Sequence, residues 1–273
     1  MGILYLVATP IGNLEDITLR ALRVLAEVGL IAVEDTRQTG KLLRRYQIET
    51  TCLSYHEHNK IARKPKLLQA LDQGDVALVS DAGTPGLSDP GYELVRAAIE
   101  AGHQVSPIPG PSAPVAALVA SGLPMDAFTF LGYLPRRATE RRRFIRSHAD
   151  DKATLVAFEV PHRLRRALND MEAILGGSRR MVVCRELTKM HEQILRGTVK
   201  QMREHFDQEA PRGEFTLVIA GAPAELAWDE AAVREALAER LRQGRSPSEA
   251  AREVAAEAGW PRKEVYRLTL EDG

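Results

Sequence analysis

The sequence predicts an α/β protein with two α/β domains followed by a small helical segment. Up to Ser121, short apolar runs alternate with stretches of helical periodicity, which is typical of βα units in a mostly parallel sheet. After a turn-rich break at residues 122–126, three apolar runs follow one another with few helical residues between them, which indicates a mixed or antiparallel sheet. From Trp228 the composition turns to Ala, Glu and Arg. We therefore expect an amino-terminal domain, a second α/β domain and a helical appendage, at residues 1–121, 122–223 and 224–273.

Turn and cap residues divide the first half into strands and helices. Thr18 precedes a helix with Leu19, Leu22 and Leu25 on one face, and Asp89-Pro90 has the form of an N-cap followed by proline at the first helical position. Ser112 is expected to cap a further helix. The predicted strands are residues 3–8, 30–33, 76–79 and 104–108, and the predicted helices are 18–27, one from 36, 89–101 and 112–121.

In the second half of the chain, the sequence predicts five strands, a basic helix and a terminal group of helices. The strands are expected at residues 128–131, 154–158, 181–185, 192–196 and 214–220, with helices near 164–175 and after 196. In the terminal segment, Ser246 and Glu249 form a capping box, and Pro261 is expected to open a last helix that runs to Tyr266. This segment resembles a helix-turn-helix, and the alternative is a dimerisation or packing element.

Composition limits the class of protein. Of the 273 residues, 44% are hydrophobic and 27% charged, and 37 basic residues balance 37 acidic ones, so the net charge carries no nucleic-acid signature. No apolar run approaches ~20 residues, and the first residues lack a basic leader, so we expect neither a membrane span nor a signal peptide. The two cysteines have no metal-type spacing. The sequence thus predicts a cytoplasmic protein with reduced thiols.

The stretch VALVSDAGTPGLSDP at residues 76–90 is the most informative in the chain. An apolar strand is followed by a loop that contains two glycines, two prolines and two aspartates. Open α/β sheets bind their ligands at the carboxyl ends of strands, and an ordinary βα connection needs about two to six residues. We therefore favour a binding site over a simple connection. Similar Gly- and Pro-rich loops at 9–16, 109–113, 132–135, 159–162 and 221–223 indicate a ligand held in a cleft between domains.

Arginines concentrate at the start of the second half. Residues 136–146 contain six arginines and one acid, Glu140. Such a cluster suits contact with a phosphate backbone. The alternative is a solvated helix face whose arginines pair with acids elsewhere, and the sequence leaves both open.

Other chemical motifs are missing from the sequence. It has no GxGxxG, no P-loop and no G-x-S-x-G. His56 and His58 lie two residues apart, but no third ligand is evident, so we expect polar contact with a substrate rather than a metal site.

Several segments carry a resemblance to a known family. In chain order they are LYLVATPIGNLEDITLRAL, EDTRQTGKLL, SYHEHN, VALVSDAGTPGLSDPG, PIPGPSAPVAAL, FTFLGYLPR, CRELTKMHEQILRGT and GEFTLVIAG. Together they resemble the tetrapyrrole methylase superfamily and, within it, the bacterial methyltransferases that modify a cytidine 2′-hydroxyl of small-subunit (16S) ribosomal RNA. The resemblance covers residues 3–223 in the family's order, and the terminal helices also fit it.

The resemblance implies a two-domain tetrapyrrole-methylase-like fold with the donor in a cleft between the domains. It also implies S-adenosyl-L-methionine as methyl donor, a cytidine in the decoding region of 16S rRNA as acceptor, and a homodimer. The donor contacts it implies are Pro10, Asp81, Ala82, Gly83, Thr84, Ser112, Ala113, Leu131 and Ala220. The residues in motifs that separate this group from its small-molecule relatives are Arg37, His58, Asn59, Glu186 and Lys189. For the RNA surface we add Arg136, Arg137, Arg141, Arg142 and Arg143.

Methyl transfer from a sulfonium to a ribose hydroxyl needs alignment and removal of a proton. Lys189 with a lowered pKa, or Glu186, is a candidate base, and Arg37 or Lys189 is a candidate cation for the developing alkoxide. The alternative for each is a structural ion pair. Two other functions stay open: a corrinoid or other small-molecule methylase of the same fold, and an RNA-binding assembly factor with a vestigial donor site.

Overall fold

The computed structural model describes residues 2–223 and 228–271 of the chain. The chain forms two compact units, Met1–Gly221 and Ala222–Gly273. The first unit contains two five-stranded sheets and the second contains three helices. The further division of the first unit at residue 121 stays a prediction.

The first sheet is parallel and has the strand order β3-β2-β4-β1-β5. Every residue of β4 is buried, as the apolar run VALV predicts for a central strand covered on both faces. The strands are β1 (Ile3–Val7), β2 (Leu30–Val33), β3 (Cys52–Ser54), β4 (Val76–Val79) and β5 (Gln104–Ile108). The helices are α1 (Leu19–Glu27), α2 (Thr36–Arg45), α3 (Lys60–Gln73), α4 (Tyr92–Glu100) and α5 (Ala113–Ser121).

Local capping places several of these helices where the sequence predicts them. The Thr18 side chain accepts a hydrogen bond from the Ala21 N–H at 3.1 Å, and Asp35 accepts one from the Arg37 N–H at 2.8 Å. Gly122 ends α5 in the left-handed conformation. Strand β3 and helix α3 were not predicted from the sequence. Strand β3 is only three residues long, and α3 contains Pro65 and is weakly amphipathic.

The prediction that Asp89-Pro90 begins a helix is wrong. Helix α4 begins at Tyr92 with Gly91 as its N-cap residue. The loop after β4 therefore extends from Ser80 to Gly91, and the Asp89 side chain lies against the cavity described below.

The second sheet is mixed, as predicted, with the order β6-β7-β10-β8-β9. Strands β6 and β7 are parallel, and β10 runs antiparallel to both of its neighbours. The strands are β6 (Phe128–Tyr133), β7 (Thr154–Glu159), β8 (Arg180–Arg185), β9 (Gln193–Thr198) and β10 (Phe215–Ile219). The helices are α6 (Ala138–Ser147), α7 (Pro161–Leu175) and α8 (Val199–Gln208).

The two faces of the second sheet pack against different helices. Successive side chains of a strand point to opposite faces. One face of the sheet packs with α7 and α8 in a core that includes Val183 and Leu217. The other face, through Val182 and Val218, packs against Ala117 and Leu118 of α5. Helix α5, which follows the last strand of the first sheet, thereby joins the two sheets in one unit.

The second unit consists of α9 (Glu230–Arg242), α10 (Pro247–Ala258) and α11 (Arg262–Glu271). Ser246 and Glu249 form the predicted capping box, and Gly259 ends α10 in the left-handed conformation. The last helix continues past Tyr266, because Leu268 packs into the same apolar core as Val233 and Val254. Within the described ranges, no helix combines the length and apolarity required to cross a membrane.

Candidate active site

A cavity of about 300 Å³ lies in the first unit where the two sheets meet. The loops that follow β4 and β5 form one side of it, and the ends of β6, β7 and β8 form the other together with the start of β10. The first sheet thus contributes the carboxyl ends of parallel strands, where α/β proteins bind their ligands. The predicted loops at 9–16, 109–113, 132–135 and 159–162 each contribute at least one wall residue, whereas the loop at 221–223 does not reach the described wall.

The loop after β4 is held in place by a backbone bridge to the loop after β1. Thr9 N–H donates to the Gly83 carbonyl at 2.9 Å, and Gly83 N–H donates to the Thr9 carbonyl at 3.0 Å. Gly83 has φ +81°, a conformation that an L side chain rarely adopts. Asp81, Ala82, Gly83 and Thr84 all line the cavity. Since both backbone groups of Gly83 are engaged by Thr9, Gly83 shapes the loop, and its neighbours are left to contact a ligand.

Two further predicted donor residues, Ser112 and Ala113, lie in the cavity wall. Ser112 is the N-cap residue of α5, but in the described structure its side chain makes no capping hydrogen bond. Its hydroxyl and the N–H of Ala113, the first residue of α5, are therefore available at the wall, whereas the second residue, Pro114, has no N–H. A helix N-terminus with unpaired N–H groups favours an anionic group such as a carboxylate.

Three predicted donor residues, Pro10, Leu131 and Ala220, are not part of the wall that the structure describes. Ala220 follows the last residue of β10, whereas the cavity contacts the first residues of that strand. The resemblance implied a donor contact at Ala220, where β10 ends. Because β10 is antiparallel to β7 and β8, its amino end lies beside their carboxyl ends, with Phe215 opposite both Glu159 and Arg185. The structure therefore places Ala220 at the far end of the sheet.

Glu186 and Lys189 meet beside the cavity. Lys189 Nζ lies 2.9 Å from Glu186 Oε1 and 3.1 Å from Glu214 Oε2, and Glu214 is a wall residue. Burial lowers the pKa of Lys189, but its hydrogen bonds to the two carboxylates outweigh burial and leave that pKa raised. The suggestion that Lys189 acts as a base through a lowered pKa is therefore wrong. Lys189 is a fixed cation at the edge of the cavity.

The turn that carries Lys189 has a strained backbone. Glu186 has φ +52° and Thr188 has φ +64°, which is uncommon for a β-branched residue. The Thr188 N–H donates to Glu192 Oε2 at 2.7 Å, and the Glu214 N–H donates to Glu186 Oε1 at 2.9 Å. Gly12 packs against this turn so closely that a Cβ atom there would lie 2.5 Å from Lys189 Cγ. The loop after β1 and the Lys189 turn therefore support one another.

Arg37 lies apart from this arrangement. Its side chain is 88% exposed and pairs with Asp35, whose pKa the hydrogen bond from Arg37 lowers to about 2. The Asp35 N–H donates to Asp81 Oδ1 at 2.9 Å. Arg37 is thus connected to the cavity through Asp35 and Asp81 and does not itself line the wall.

The cavity wall is acidic. Its carboxylates come from strand ends and adjoining loops, and the sequence analysis did not single out most of them. They are Glu34, Asp81, Asp89, Glu159 and Glu214.

Burial raises the pKa of Asp89 to about 6, with a further contribution from the charge of Glu34. Burial also raises the pKa of Glu34 and of Asp81. Among the described wall residues there is no Lys, Arg or His. Such a wall favours a ligand that carries positive charge.

A family model described as tetrapyrrole (corrin/porphyrin) methylases matches residues 3–203. The chain belongs to the tetrapyrrole methylase family. This result confirms the predicted fold class, and the solved structures agree with it. The methyltransferase CobJ aligns with a TM-score of 0.63 at 18% identity, covering 81% of this chain and 95% of that one. A diphthine synthase aligns with a TM-score of 0.62 at 14% identity, covering 80% and 90%. At these identities the likeness shows the fold alone.

Curated relatives are much more similar and match over almost their whole length. A protein of Synechocystis sp. named ribosomal RNA small subunit methyltransferase I is 49% identical, covering 99% of this chain and 98% of the relative. A Bacillus subtilis protein of the same name is 42% identical, covering 97% and 93%. This member of the family therefore shares both of its units with those relatives.

The predicted RNA contacts of this methylase fall into two structural groups. His58 is exposed, whereas the Asn59 side chain accepts from the His56 N–H at 2.8 Å and donates to the Ser54 carbonyl at 3.2 Å. Asn59 thus stabilises the turn that presents His58.

Among the described residues there is no cluster of three or more potential metal ligands.

The basic cluster is exposed except at one position. Arg136, Arg137, Arg142 and Arg143 are on the surface of the unit. Arg141 is buried and donates to Asp170 Oδ2 from Nε at 2.8 Å and from Nη2 at 2.6 Å. The structure therefore contradicts the placement of Arg141 on the RNA surface. For Arg141 the alternative of pairing with a distant acid is correct, and the exposed Arg142 also donates to Asp170 Oδ1 from Nε at 2.7 Å.

Proposed function

We propose that this chain transfers a methyl group from S-adenosyl-L-methionine to the 2′-hydroxyl of a cytidine in the decoding region of 16S rRNA. The observation that carries the proposal is an acidic cavity at the strand ends of a tetrapyrrole methylase whose full-length relatives are named for small-subunit ribosomal RNA. A corrinoid substrate gains no specific support, because the likeness to corrinoid enzymes shows the fold alone.

The charges of the wall fit this donor. S-adenosyl-L-methionine supplies a methyl group bonded to a positively charged sulfur, and it also carries an ammonium and a carboxylate. Asp81 and Glu34 supply negative charge for the cationic groups. Ser112 and the Ala113 N–H at the start of α5 suit the carboxylate. Ala82, Thr84 and Ala113 would complete the contacts, and Pro10 and Leu131 remain proposed as neighbours of this shell.

The acceptor hydroxyl needs a base and a cation. We assign the cation to Lys189, which is held by Glu186 and Glu214 at the cavity edge and whose raised pKa keeps it charged. Burial raises the pKa of the wall residue Asp89 to about 6, close to neutrality, so Asp89 suits the removal of the hydroxyl proton. In this proposal Glu186 holds Lys189 in place. Arg37 pairs with Asp35, whose N–H donates to Asp81, and thereby helps to hold the loop after β4.

The exposed arginines of residues 136–143, together with His58, form the proposed contact surface for the RNA backbone. We also propose a homodimer. Its support is the outer face of α5, where Val115 and Val119 are about half exposed one helical turn apart. A cytoplasmic location is part of the same proposal, because small ribosomal subunits are found there.

The test is methyl transfer to small subunits purified from cells that lack this protein. With labelled donor, we expect label in a single 2′-O-methylcytidine of 16S rRNA, mapped by nuclease digestion and mass spectrometry. Subunits from cells that contain the protein serve as the control and should accept little label. Donor binding without transfer to any subunit or free RNA would favour the assembly factor, and transfer to a corrinoid alone would favour the small-molecule methylase.

A further inference from the structure

Strand β6 contains a β-bulge near its end at the cavity. Phe130 pairs with Val156 of β7, and the next recorded pair is Tyr133 with Phe158, so β6 has one more residue than β7 between these pairs. Gly132, inside this interval, has φ +63°. That left-handed conformation is the one a glycine adopts in a common type of bulge. A bulge changes the face of the sheet to which the following side chains point.

The bulge decides where the side chain of Tyr133 points. In a regular strand Leu131 and Tyr133 lie on the same face. Leu131 packs against the core that the second sheet shares with α7 and α8, and Leu134 is part of that core. Tyr133 instead lies beside its pair partner Phe158, with ring centroids 5.3 Å apart, and both rings line the cavity. The bulge therefore directs an aromatic side chain away from the core and into the cavity wall.

Tyr133 is 54% exposed, although it is a wall residue and contacts Phe158. Phe158 is itself packed edge-to-face on Phe130, with ring centroids 5.2 Å apart, so the Tyr133 ring rests on a fixed aromatic pair. Bulges are frequent next to active sites, where they redirect a side chain, and ligand cavities are commonly lined by aromatic rings. The cavity thus has an accessible and well-supported ring on the side of the second sheet.

The surroundings of Tyr133 indicate which ligand its ring meets. A Cβ atom on the adjacent Gly132 would lie 3.3 Å from Ser88 Oγ, so the bulge lies against the loop that carries Asp89. Burial raises the pKa of the Tyr133 hydroxyl, and the charges of Glu214 and Asp89 raise it further. In the proposed function, Asp89 takes the proton of the acceptor hydroxyl and Glu214 holds the cation beside it. The ring therefore lies at the acceptor end of the cavity.

We propose that Tyr133 stacks against the nucleobase of the acceptor nucleotide and so positions the 2′-hydroxyl of its ribose. The inference rests on the proposed function and specifies how that function holds the cytidine. Proteins bind unstacked RNA bases on aromatic side chains. The ribose carbon that carries the base is bonded to the carbon that carries the 2′-hydroxyl, so a ring that fixes the base also limits where the hydroxyl can lie. Stacking uses the ring of Tyr133 and does not need its hydroxyl.

Three substitutions separate the ring from the hydroxyl. Tyr133→Ala removes both, Tyr133→Leu keeps an apolar side chain beside Phe158, and Tyr133→Phe keeps the ring. We expect kcat/KM for small subunits to fall roughly tenfold or more in the Ala and Leu variants, and to stay within about twofold in the Phe variant. Affinity for S-adenosylhomocysteine, measured by calorimetry, should be unchanged in all three. The matched control is Phe128→Ala, because Phe128 is a 43% exposed aromatic residue of the same strand outside the cavity wall.

A second experiment removes the base instead of the ring. Subunits are assembled with 16S rRNA that carries, at the target position, a ribose without a base, so the 2′-hydroxyl is kept. If Tyr133 acts on that base, the unsubstituted protein and Tyr133→Ala should methylate this substrate at the same rate, because each reaction lacks one partner of the same contact. Phe128→Ala should match the unsubstituted protein on both substrates.

The proposal is overturned if Tyr133→Leu folds, as judged by its unfolding transition, and keeps the original kcat/KM. A loss in Tyr133→Phe equal to that in Tyr133→Ala assigns the effect to the hydroxyl, and weaker binding of S-adenosylhomocysteine assigns the ring to the donor adenine. Either result contradicts stacking on the acceptor base, and so does a difference between the unsubstituted protein and Tyr133→Ala that persists on the abasic substrate. Turnover of the unsubstituted protein on intact subunits is measured in the same series, so failure of the proposed function is recognised separately.

Discussion

Thr9 and Gly83 hydrogen-bond to one another through both of their backbone groups, and this pair joins the loops after β1 and β4 at the mouth of the cavity. The loop after β1 also packs on the turn of Lys189 through Gly12. The loop after β1 therefore contacts both the predicted donor loop and the turn that carries the predicted catalytic lysine.

The first prediction concerns Gly83. Replacement by Ala forces an L residue to φ +81°, which costs about 1–3 kcal/mol, and brings Cβ to 3.4 Å from Ile11 Cγ2 in the cavity wall. We expect lower thermal stability and weaker donor binding, measured by calorimetry. Gly86→Ala is the matched control, because Gly86 has φ +85° and nothing within 4 Å of the added Cβ. If the two variants bind the donor equally well, the bridge does not shape the donor site.

The second prediction concerns Lys189. Lys189→Ala should reduce kcat by about 10²–10³, as expected for loss of one group that stabilises developing charge, with little change in donor affinity. Glu186→Ala should have a smaller effect, since Glu214 still contacts Lys189. The exposed Lys66 on α3 provides the control substitution. Single-turnover rates and donor titrations on each variant are the measurements. Parental rates in Lys189→Ala would make the ion pairs structural.

The third prediction concerns pH and Asp89. Because the pKa of Asp89 is raised to about 6 by burial, its basic form is lost as the pH falls through 6, and kcat should fall about tenfold per pH unit below that value. Asp89→Asn should remove this dependence and lower kcat by roughly 10²–10⁴.

The same variant should change stability in the opposite direction. A carboxyl group whose pKa is higher in the folded than in the unfolded protein destabilises the fold increasingly as the pH rises from the unfolded to the folded value, and fully above it. Asp89→Asn is therefore expected to unfold at a higher temperature at pH 8, with no gain at pH 4. The exposed Asp126→Asn is the control. A variant that loses stability at pH 8 would show that the Asp89 carboxylate is needed for the fold.

The fourth prediction separates exposed from buried arginines. Joint replacement of Arg136, Arg137 and Arg143 by Ala should weaken RNA binding and flatten its salt dependence, by roughly 0.7–0.9 in slope for each phosphate group that is no longer bound. Arg141→Ala should instead destabilise the unit by up to about 3 kcal/mol, because Asp170 loses its buried partner and keeps only the exposed Arg142. Salt titrations of RNA affinity and denaturant unfolding measure the two effects. An unchanged salt slope in the triple variant would place the RNA surface elsewhere.

Local sequence patterns determined most elements of the fold. The apolar run at β4, the cap at Thr18 and the capping box at Ser246 act through neighbours within a few residues, so the sequence alone predicts them. The loop after β4 is recognisable as a binding loop for the same reason, since its glycines, prolines and position after a buried strand are all local features.

Tertiary structure decided the features that depend on direction and packing. The prediction for Ala220 fails because the antiparallel direction of β10 is set by pairing with β7 and β8, which no pattern within residues 214–220 encodes. Arg141 and Arg142 are adjacent in a basic run and both pair with Asp170, 29 and 28 residues further along the chain, yet the Arg141 side chain is buried whereas that of Arg142 is 59% exposed. The unpaired Oε2 of Glu159 is likewise a property of the folded chain, because packing decides which donors reach a buried side chain.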